Sequence, residues 1–159
     1  MKLDESKFCV RPVYADEYQD VMALAWKTFL RFEAGDYSPE GVNSFQNFIT
    51  NQNLKKLFDT GQYPIFAAVY CGEIIGMLSL RSCAHISLLF VDEHFHYMGV
   101  GKKLIKYACT YIQKELDEFK VTVNSSPYAV GFYHKMGFTD MAKEKEEDGV
   151  RFTPMSLIL

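Results

Sequence analysis

The chain has 159 residues, 48% of them apolar and 23% charged, and 17 Lys plus Arg against 20 Asp plus Glu leave a net charge of -3. That length fits one domain, spanning residues 1–159, with a core of its own. The near-neutral balance, without any block of like charges, argues against a nucleic-acid partner held by phosphate neutralisation. Apolar runs such as residues 88–91 fall far short of the roughly 20 residues of a membrane-spanning helix, so a soluble protein with no membrane partner is expected. Cys9, Cys71, Cys83 and Cys109 form no Cys-x-x-Cys pair, and the first residues carry no apolar signal segment. The expectation is a reducing cytoplasm with free, mostly buried thiols. The aromatics, 13 Phe, 10 Tyr and one Trp, stand for a packed core, an aromatic-lined pocket, or both.

Residues 8–13 read as a short strand. Asp16 then offers an N-cap, with Gln19 three residues on, ahead of Tyr18, Met22, Ala25, Phe29 and Phe32 at helical spacing. This first helix runs to about Glu33 and is broken at residues 34–37. Ser38 caps a second helix with Pro39 at its first position and Val42, Phe45, Phe48 and Ile49 as its apolar face. Residues 51–58 continue as a further helical stretch before Thr60-Gly61. The period then changes from 3.6 to 2. Residues 63–71, 73–82 and 85–91 are β-rich, the first two joined by a tight hairpin at Cys71-Gly72.

From Gly99 a helix returns, with Leu104, Ile105, Ala108, Cys109, Ile112 and Leu116 on one side. Residues 119–123 alternate as a strand, and 127–136 form a helix that ends at Gly137 in a left-handed conformation. Residues 138–142 and 151–159 close the chain as a hairpin around Asp148-Gly149. Without repeats or linkers, the chain reads as one mixed α/β domain with the order β-α-α-β-β-β-α-β-α-β-β.

The stretch from Leu88 to Lys103 carries the most chemistry. A buried strand enters a loop, the loop tightens on Gly99 and Gly101, and a helix starts at once. Such glycines let backbone approach a ligand closely, and a helix N-terminus presents unpaired N–H groups, so an anion is the natural guest. Lys102 and Lys103 oppose the helix dipole by about 0.3–1 kcal/mol each, a cost relieved by a nearby anion. The plainer alternative is a solvated lysine pair after an ordinary glycine turn. A Walker A loop is excluded because His96 precedes and Lys103 follows. A dinucleotide fingerprint is excluded because position 104 is Leu.

Residues His96 to Gly101 resemble the Gln/Arg-x-x-Gly-x-Gly/Ala signature of the GCN5-related N-acetyltransferases (GNAT), with His96 departing from the usual first residue. Residues 129–138, Ala-Val-Gly-Phe-Tyr-His-Lys-Met-Gly-Phe, resemble that family's Ala-x-x-Phe/Leu-Tyr-x-x-x-Gly-Phe segment. The two motifs stand in the family's order, about thirty residues apart, and its element order covers essentially the whole chain. The resemblance implies the GNAT fold, a central, mostly antiparallel mixed sheet with helices on both faces. It also implies direct transfer of an acetyl group from acetyl-CoA to a primary amine of a small molecule or peptide.

By that similarity, backbone groups of Leu89 and Val91, with Phe90 beside them, serve the pantetheine arm and thioester carbonyl. His96, Tyr97, Met98, Gly99, Val100, Gly101 and Lys102 hold the pyrophosphate. Tyr133, beside Phe132, is the general acid, against the alternative that it only packs. Asn124 and Ser126 line the cofactor, although Ser126 also fits as the N-cap of the helix beginning at Pro127.

The strand 85–91 holds no carboxylate to act as base. His85 is a candidate, with an ordinary pKa near 6.5, and Asp92, Glu33 and Asp36 are others; an amine can also lose its proton to bulk water. Acceptor recognition by resemblance falls to the first two helices, where Trp26, Phe29, Glu33 and Asp36 suggest an aromatic wall with an acidic rim suited to a cationic amine. No metal is expected, since Cys83-x-His85 with His94-x-His96 matches no zinc spacing. A non-catalytic acyl-CoA sensor of the same fold is the competing reading. The strand 151–159 is suited equally to finishing its own sheet and to pairing with a second copy as a homodimer.

Overall fold

The computed structural model describes residues 2–159. Strand β1 (Phe8–Pro12) leads through a 3-10 turn into α1 (Tyr18–Phe32), followed by α2 (Pro39–Ile49) and α3 (Gln52–Asp59). Strands β2 (Ile65–Tyr70), β3 (Glu73–Arg81) and β4 (His85–Val91) form a meander. Then come α4 (Val100–Glu115), β5 (Lys120–Ser125), α5 (Val130–Lys135), β6 (Thr139–Asp140), β7 (Lys145–Glu147) and β8 (Val150–Ile158). The sheet order is β1-β2-β3-β4-β5-β8-β6, with β7 paired to β8, and among the described residues β4–β5 is the one parallel pair. This is the mixed, mostly antiparallel sheet that the family resemblance implies. Residues 52–59 add a third helix, and β7 an additional short strand.

Local chemistry accounts for the elements. Ser38 Oγ accepts the Gly41 N–H at 3.2 Å and Pro39 opens α2, while Asn51 Oδ1 accepts the Asn53 N–H at 2.7 Å at the start of α3. The turns Cys71-Gly72 and Asp148-Gly149 both place two successive residues at positive φ, the geometry a two-residue hairpin requires. Gly137 ends the short α5 with φ +97°, as expected. The start of α1 differs from expectation. Asp16 lies in the 3-10 turn, and it is Glu17 whose carboxylate accepts the Tyr14 N–H and a paired Arg11 guanidinium, at 2.8 to 2.9 Å.

Two cores flank the sheet. On one side α1 buries Val21, Met22, Ala25 and Phe29 with Ile65, Met77, Leu88 and Phe90; on the other α4 buries Leu104, Ile105, Ala108 and Ile112 with Phe66, Leu78, Leu80 and Ile86. Ile86 and Leu88 fall on opposite sides although two residues apart. The cause is a β-bulge at Ser87: Ser79 pairs with Leu88 and Leu80 with Ile86, leaving Ser87 without an opposite residue. The bulge turns Ser87 and Leu88 toward the α1 side, where Ser87 Oγ accepts the Tyr63 hydroxyl at 2.8 Å.

Two details correct the sequence reading, and a third agrees with one of its alternatives. Cys9, Cys71 and Cys83 are exposed and Cys109 is partly buried, because three of them sit on edge or turn positions. The partner that closes the last hairpin at its turn is β7, with β6 joining further along. Strand β8 finishes its own sheet, with β5 on one edge and β6 and β7 on the other.

The β7–β8 turn lies on the start of α2. The Ser38 N–H donates to the Gly149 carbonyl at 3.3 Å, and a Cβ on Gly41 would collide with that carbonyl. Gly41→Ala should therefore cost about 2 kcal/mol, as overpacking against backbone does. Gly35→Ala, where a Cβ meets open space, should stay within about 0.5 kcal/mol. Urea unfolding midpoints check both, and equal midpoints for the two variants would contradict the docked turn.

Candidate active site

Strands β4 and β5 pair only at His85–Thr122 and Ile86–Val123. β4 then follows its bulge while β5 stays in register with β8 through Ser125, and the two separate. Past that point, main-chain groups of β4 that face β5 have no strand partner. The gap opens into a cavity of about 370 Å³, lined by residues 86–90 of β4 and 123–126 of the β5 end. Tyr37, Phe45 and Phe48 cover it from the α1–α2 side, with Glu147, Asp148, Val150 and Phe152 contributed by the β7–β8 hairpin.

Glu33 and Tyr133 meet in this cavity. Burial drives the Glu33 carboxyl up to about 7, against the lowering effect of the nearby Ser126 hydroxyl and with a smaller addition from the Asp36 charge. The Ser126 contact falls short of a hydrogen bond, since Ser126 Oγ is buried without a partner. The Tyr133 phenol is pushed well above its ordinary value, by burial first and by the Glu33 charge second. Its ring is wedged between Phe132 and Phe138 at centroid distances of 5.3 and 5.2 Å. A carboxyl that titrates near neutrality beside a phenol that keeps its proton is a base and acid pair in one site.

Beyond the end of β4, outside the cavity lining, lies the start of α4. Gly99 is left-handed at φ +83°, and Lys103 N–H closes the first turn on the Gly99 carbonyl at 3.0 Å, so the N–H groups of the residues between precede any helical partner. A Cβ on Gly101 would lie 3.0 Å from the Phe132 ring, so this glycine is required by close packing of α4 on α5. Lys103 is held by Glu5 at 3.0 Å, whereas Lys102 is exposed and has no carboxylate partner among the described residues. His96 donates from Nε2 to the Val91 carbonyl at 2.7 Å and packs on Phe32. That carbonyl is therefore already engaged. Tyr97 is fully exposed at φ +63°, and Met98 is half-buried between it and Gly99. The free amides, the glycine cradle, the unpaired edge of β4 and the unpartnered Ser126 hydroxyl together suit a long ligand with an anionic end.

Several sequence candidates lie elsewhere. His85 is outside the cavity lining, bonded through Nδ1 to Thr122 Oγ1 at 2.8 Å. Burial, then Arg81, lower its pKa to about 4, which makes it a weak base. Asp92 is opposed by burial but brought down to about 2 by the His94 N–H and side chain and by Lys27, so its charge is spent on structure. Asp36 faces Arg151 at 3.9 Å rather than the cavity. Phe29 is wholly buried and stacks on Phe45 at 3.9 Å, and Trp26 stacks on both at about 6 Å while lining a separate cavity between α1 and α2. Of the acceptor candidates, Glu33 alone lines the cavity.

Ser126 occupies the N-cap position before Pro127 but makes no capping bond, which leaves its hydroxyl free. Asn124 is exposed on the cavity wall. His94 Nδ1 bonds Asp92 and His96 bonds Val91, so the histidines near Cys83 do not converge. Arg81, Ser87 and Phe152 line the cavity without having been singled out. A serine in the middle of an apolar strand was the available sign of the bulge.

The acetyltransferase (GNAT) domain family matches residues 33–159. A glucosamine 6-phosphate N-acetyltransferase of Trypanosoma brucei brucei is 33% identical over 88 residues, 46% of this chain and 59% of that protein; the chain thus spans under two thirds of that relative's length. A GCN5-related N-acetyltransferase of Rhodopseudomonas palustris has the same fold, with a TM-score of 0.80, 22% identity and 95% of each chain covered. The PaiA N-acetyltransferase of Thermoplasma acidophilum, solved in complex with coenzyme A, superposes with a TM-score of 0.75 at 20% identity, over 96% of this chain and 99% of that one.

A carboxyl raised by burial binds its proton more tightly folded than unfolded, so its contribution is favourable below about pH 4.5 and is lost as pH rises through about 7. Glu33→Gln should therefore leave Tm unchanged at pH 4 and raise it at pH 8. A Tm difference independent of pH would show that Glu33 is not held in this way.

Proposed function

The chain belongs to the GNAT acetyltransferase family, and from that premise we propose that it is an acetyl-CoA-dependent N-acetyltransferase acting on a primary amine. The observation that carries this reading is the meeting of Glu33 and Tyr133 in the cavity where β4 and β5 part, with the free amides of α4 following the end of β4. Acetyl-CoA as cosubstrate supplies the thioester. The backbone amides from Tyr97 to Lys102 bind its pyrophosphate, aided by the exposed Lys102. The unpaired edge of β4 at Leu89 and Phe90, with Asn124 and Ser126 opposite, receives the pantetheine arm.

Glu33 is the general base. Its ionised carboxylate takes a proton from the bound ammonium, freeing the nitrogen lone pair to attack the acetyl carbon. As the new C–N bond forms and the C–S bond breaks, Tyr133 gives its hydroxyl proton to the departing thiolate, and the surplus proton on the acylated nitrogen passes to the tyrosinate and restores it. Burial serves both roles, since it keeps Glu33 near the working pH and keeps Tyr133 protonated. The amine enters from the side of Tyr37, Phe45, Phe48 and Phe152, where aromatic faces and the Glu147 and Asp148 carboxylates favour a cation.

With acetyl-CoA and a panel of amines, kcat/KM should rise with pH through about 7, because Glu33 must lose its proton to act. Glu33→Gln should remove that rise and lower the rate about 100-fold at pH 8, the ordinary scale of general-base catalysis. Tyr133→Phe should lower kcat by a similar factor across pH 7–9. CoA binding without acetylation of any amine would favour the sensor reading, and a Glu33→Gln enzyme with the wild-type pH profile would remove Glu33 as base.

A further inference from the structure

Four arginines are present, and three are neutralised: Arg11 by Glu17, Arg31 by Glu93, and Arg151 by Glu144 and Asp36. Arg81 is the fourth. It closes β3, lines the cavity, and among the described residues has no carboxylate partner. Among the described residues its side chain makes one hydrogen-bond contact, to His85 Nε2 at 3.4 Å, on a ring fixed by Thr122. A guanidinium with five donors in a planar fork, left unpaired on a cavity wall, matches a carboxylate or phosphate in both charge and geometry.

The hydroxyls beside it agree. Tyr63 donates to Ser87 Oγ at 2.8 Å and is 2.7 Å from Ser79 Oγ, so a chain running from Ser79 through Tyr63 to Ser87 leaves the Ser87 hydrogen uncommitted on the cavity wall. The bulge at Ser87 is what presents that donor on this side of the sheet. Glu147 and Asp148, the acidic residues of the hairpin roof, do not reach the Arg81 guanidinium.

We propose that Arg81, with Ser87, anchors an anionic group of the acceptor, so that the preferred substrate is an amine that also carries a carboxylate or a phosphate. The proposal rests on the N-acetyltransferase reading above and names the substrate class of the same site. Arg81 pairs with His85, which faces Thr122 of β5, while Glu33 lies beside Ser126, four residues further along that strand, with Tyr133 close to it. Four residues of strand separate the two ends, about 13 Å before the arginine's own reach is subtracted. The amine and the anion of the substrate are therefore separated by several atoms, which disfavours a free α-amino acid.

Two matched pairs of acceptors test this: an amino-sugar phosphate against the same amino sugar, and a dipeptide against its C-terminal amide. Each is measured for acetylation and, separately, for calorimetric binding to the CoA-loaded chain. The wild-type chain should favour the anionic member of at least one pair by about 10-fold or more, the range of a charge-assisted pair. The pair that shows the preference identifies phosphate or carboxylate as the source.

Arg81→Gln should erase the preference mainly through KM, leaving the neutral members within about 2-fold, and Arg81→Lys should restore part of it. Equal use of both members by the wild type, or an equal loss on both in Arg81→Gln, would overturn the proposal. Because binding is read without turnover, loss of acetylation with the binding preference intact would count against the enzymatic reading alone.

Discussion

Strands β4 and β5 share two residue pairs and then part, and the position of every group in the site follows from that parting. A parallel pair buried between helices would ordinarily continue its ladder to the strand ends. Here the Ser87 bulge bends β4 while β5 is held along its whole length by β8, so the two strands cannot stay in register. The opening exposes main-chain groups for an extended ligand. It also lets a helix connection from one side of the sheet, carrying Glu33, and a helix from the other, carrying Tyr133, face a common space.

Much of this was legible in the residues. The apolar spacing of α1 and α4, the Ser38-Pro39 start of α2 and the positive-φ hairpin turns are local signals, and each appears as expected. The glycine turn and the tyrosine segment were equally local. What could not be seen was set by tertiary packing. Phe29 and Phe45 have the spacing of a core face, yet only the fold shows that Phe45 also reaches the cavity while Phe29 is sealed beneath it. His85 and Glu33 both qualified as bases by residue type, and burial and neighbours separate them, lowering one and raising the other. Arg81 carried no sign at all, because its distinction is a missing partner.

The electrostatics of the site are local against a slightly acidic whole. Positive potential at the cofactor end comes from the start of α4 and Lys102, since Lys103 is committed to Glu5. The loop before α4 is pinned to α1 by Lys27–Asp92 at 3.1 Å and Arg31–Glu93 at 3.4 Å. Although such exposed pairs add little stability, they tie the helix that precedes Glu33 to the loop that leads into the glycine turn.

The exposed cysteines have a practical side. Cys71 and Cys83 occupy turn positions at positive φ, and Cys9 lies on the edge strand, so each chain offers three accessible thiols at ordinary solvent contact. Any reagent that counts free sulfhydryls to follow CoA production will also count these. Its baseline scales with the amount of protein, three equivalents per chain, and oxidative cross-linking through the same groups will mimic self-association unless a reductant is present.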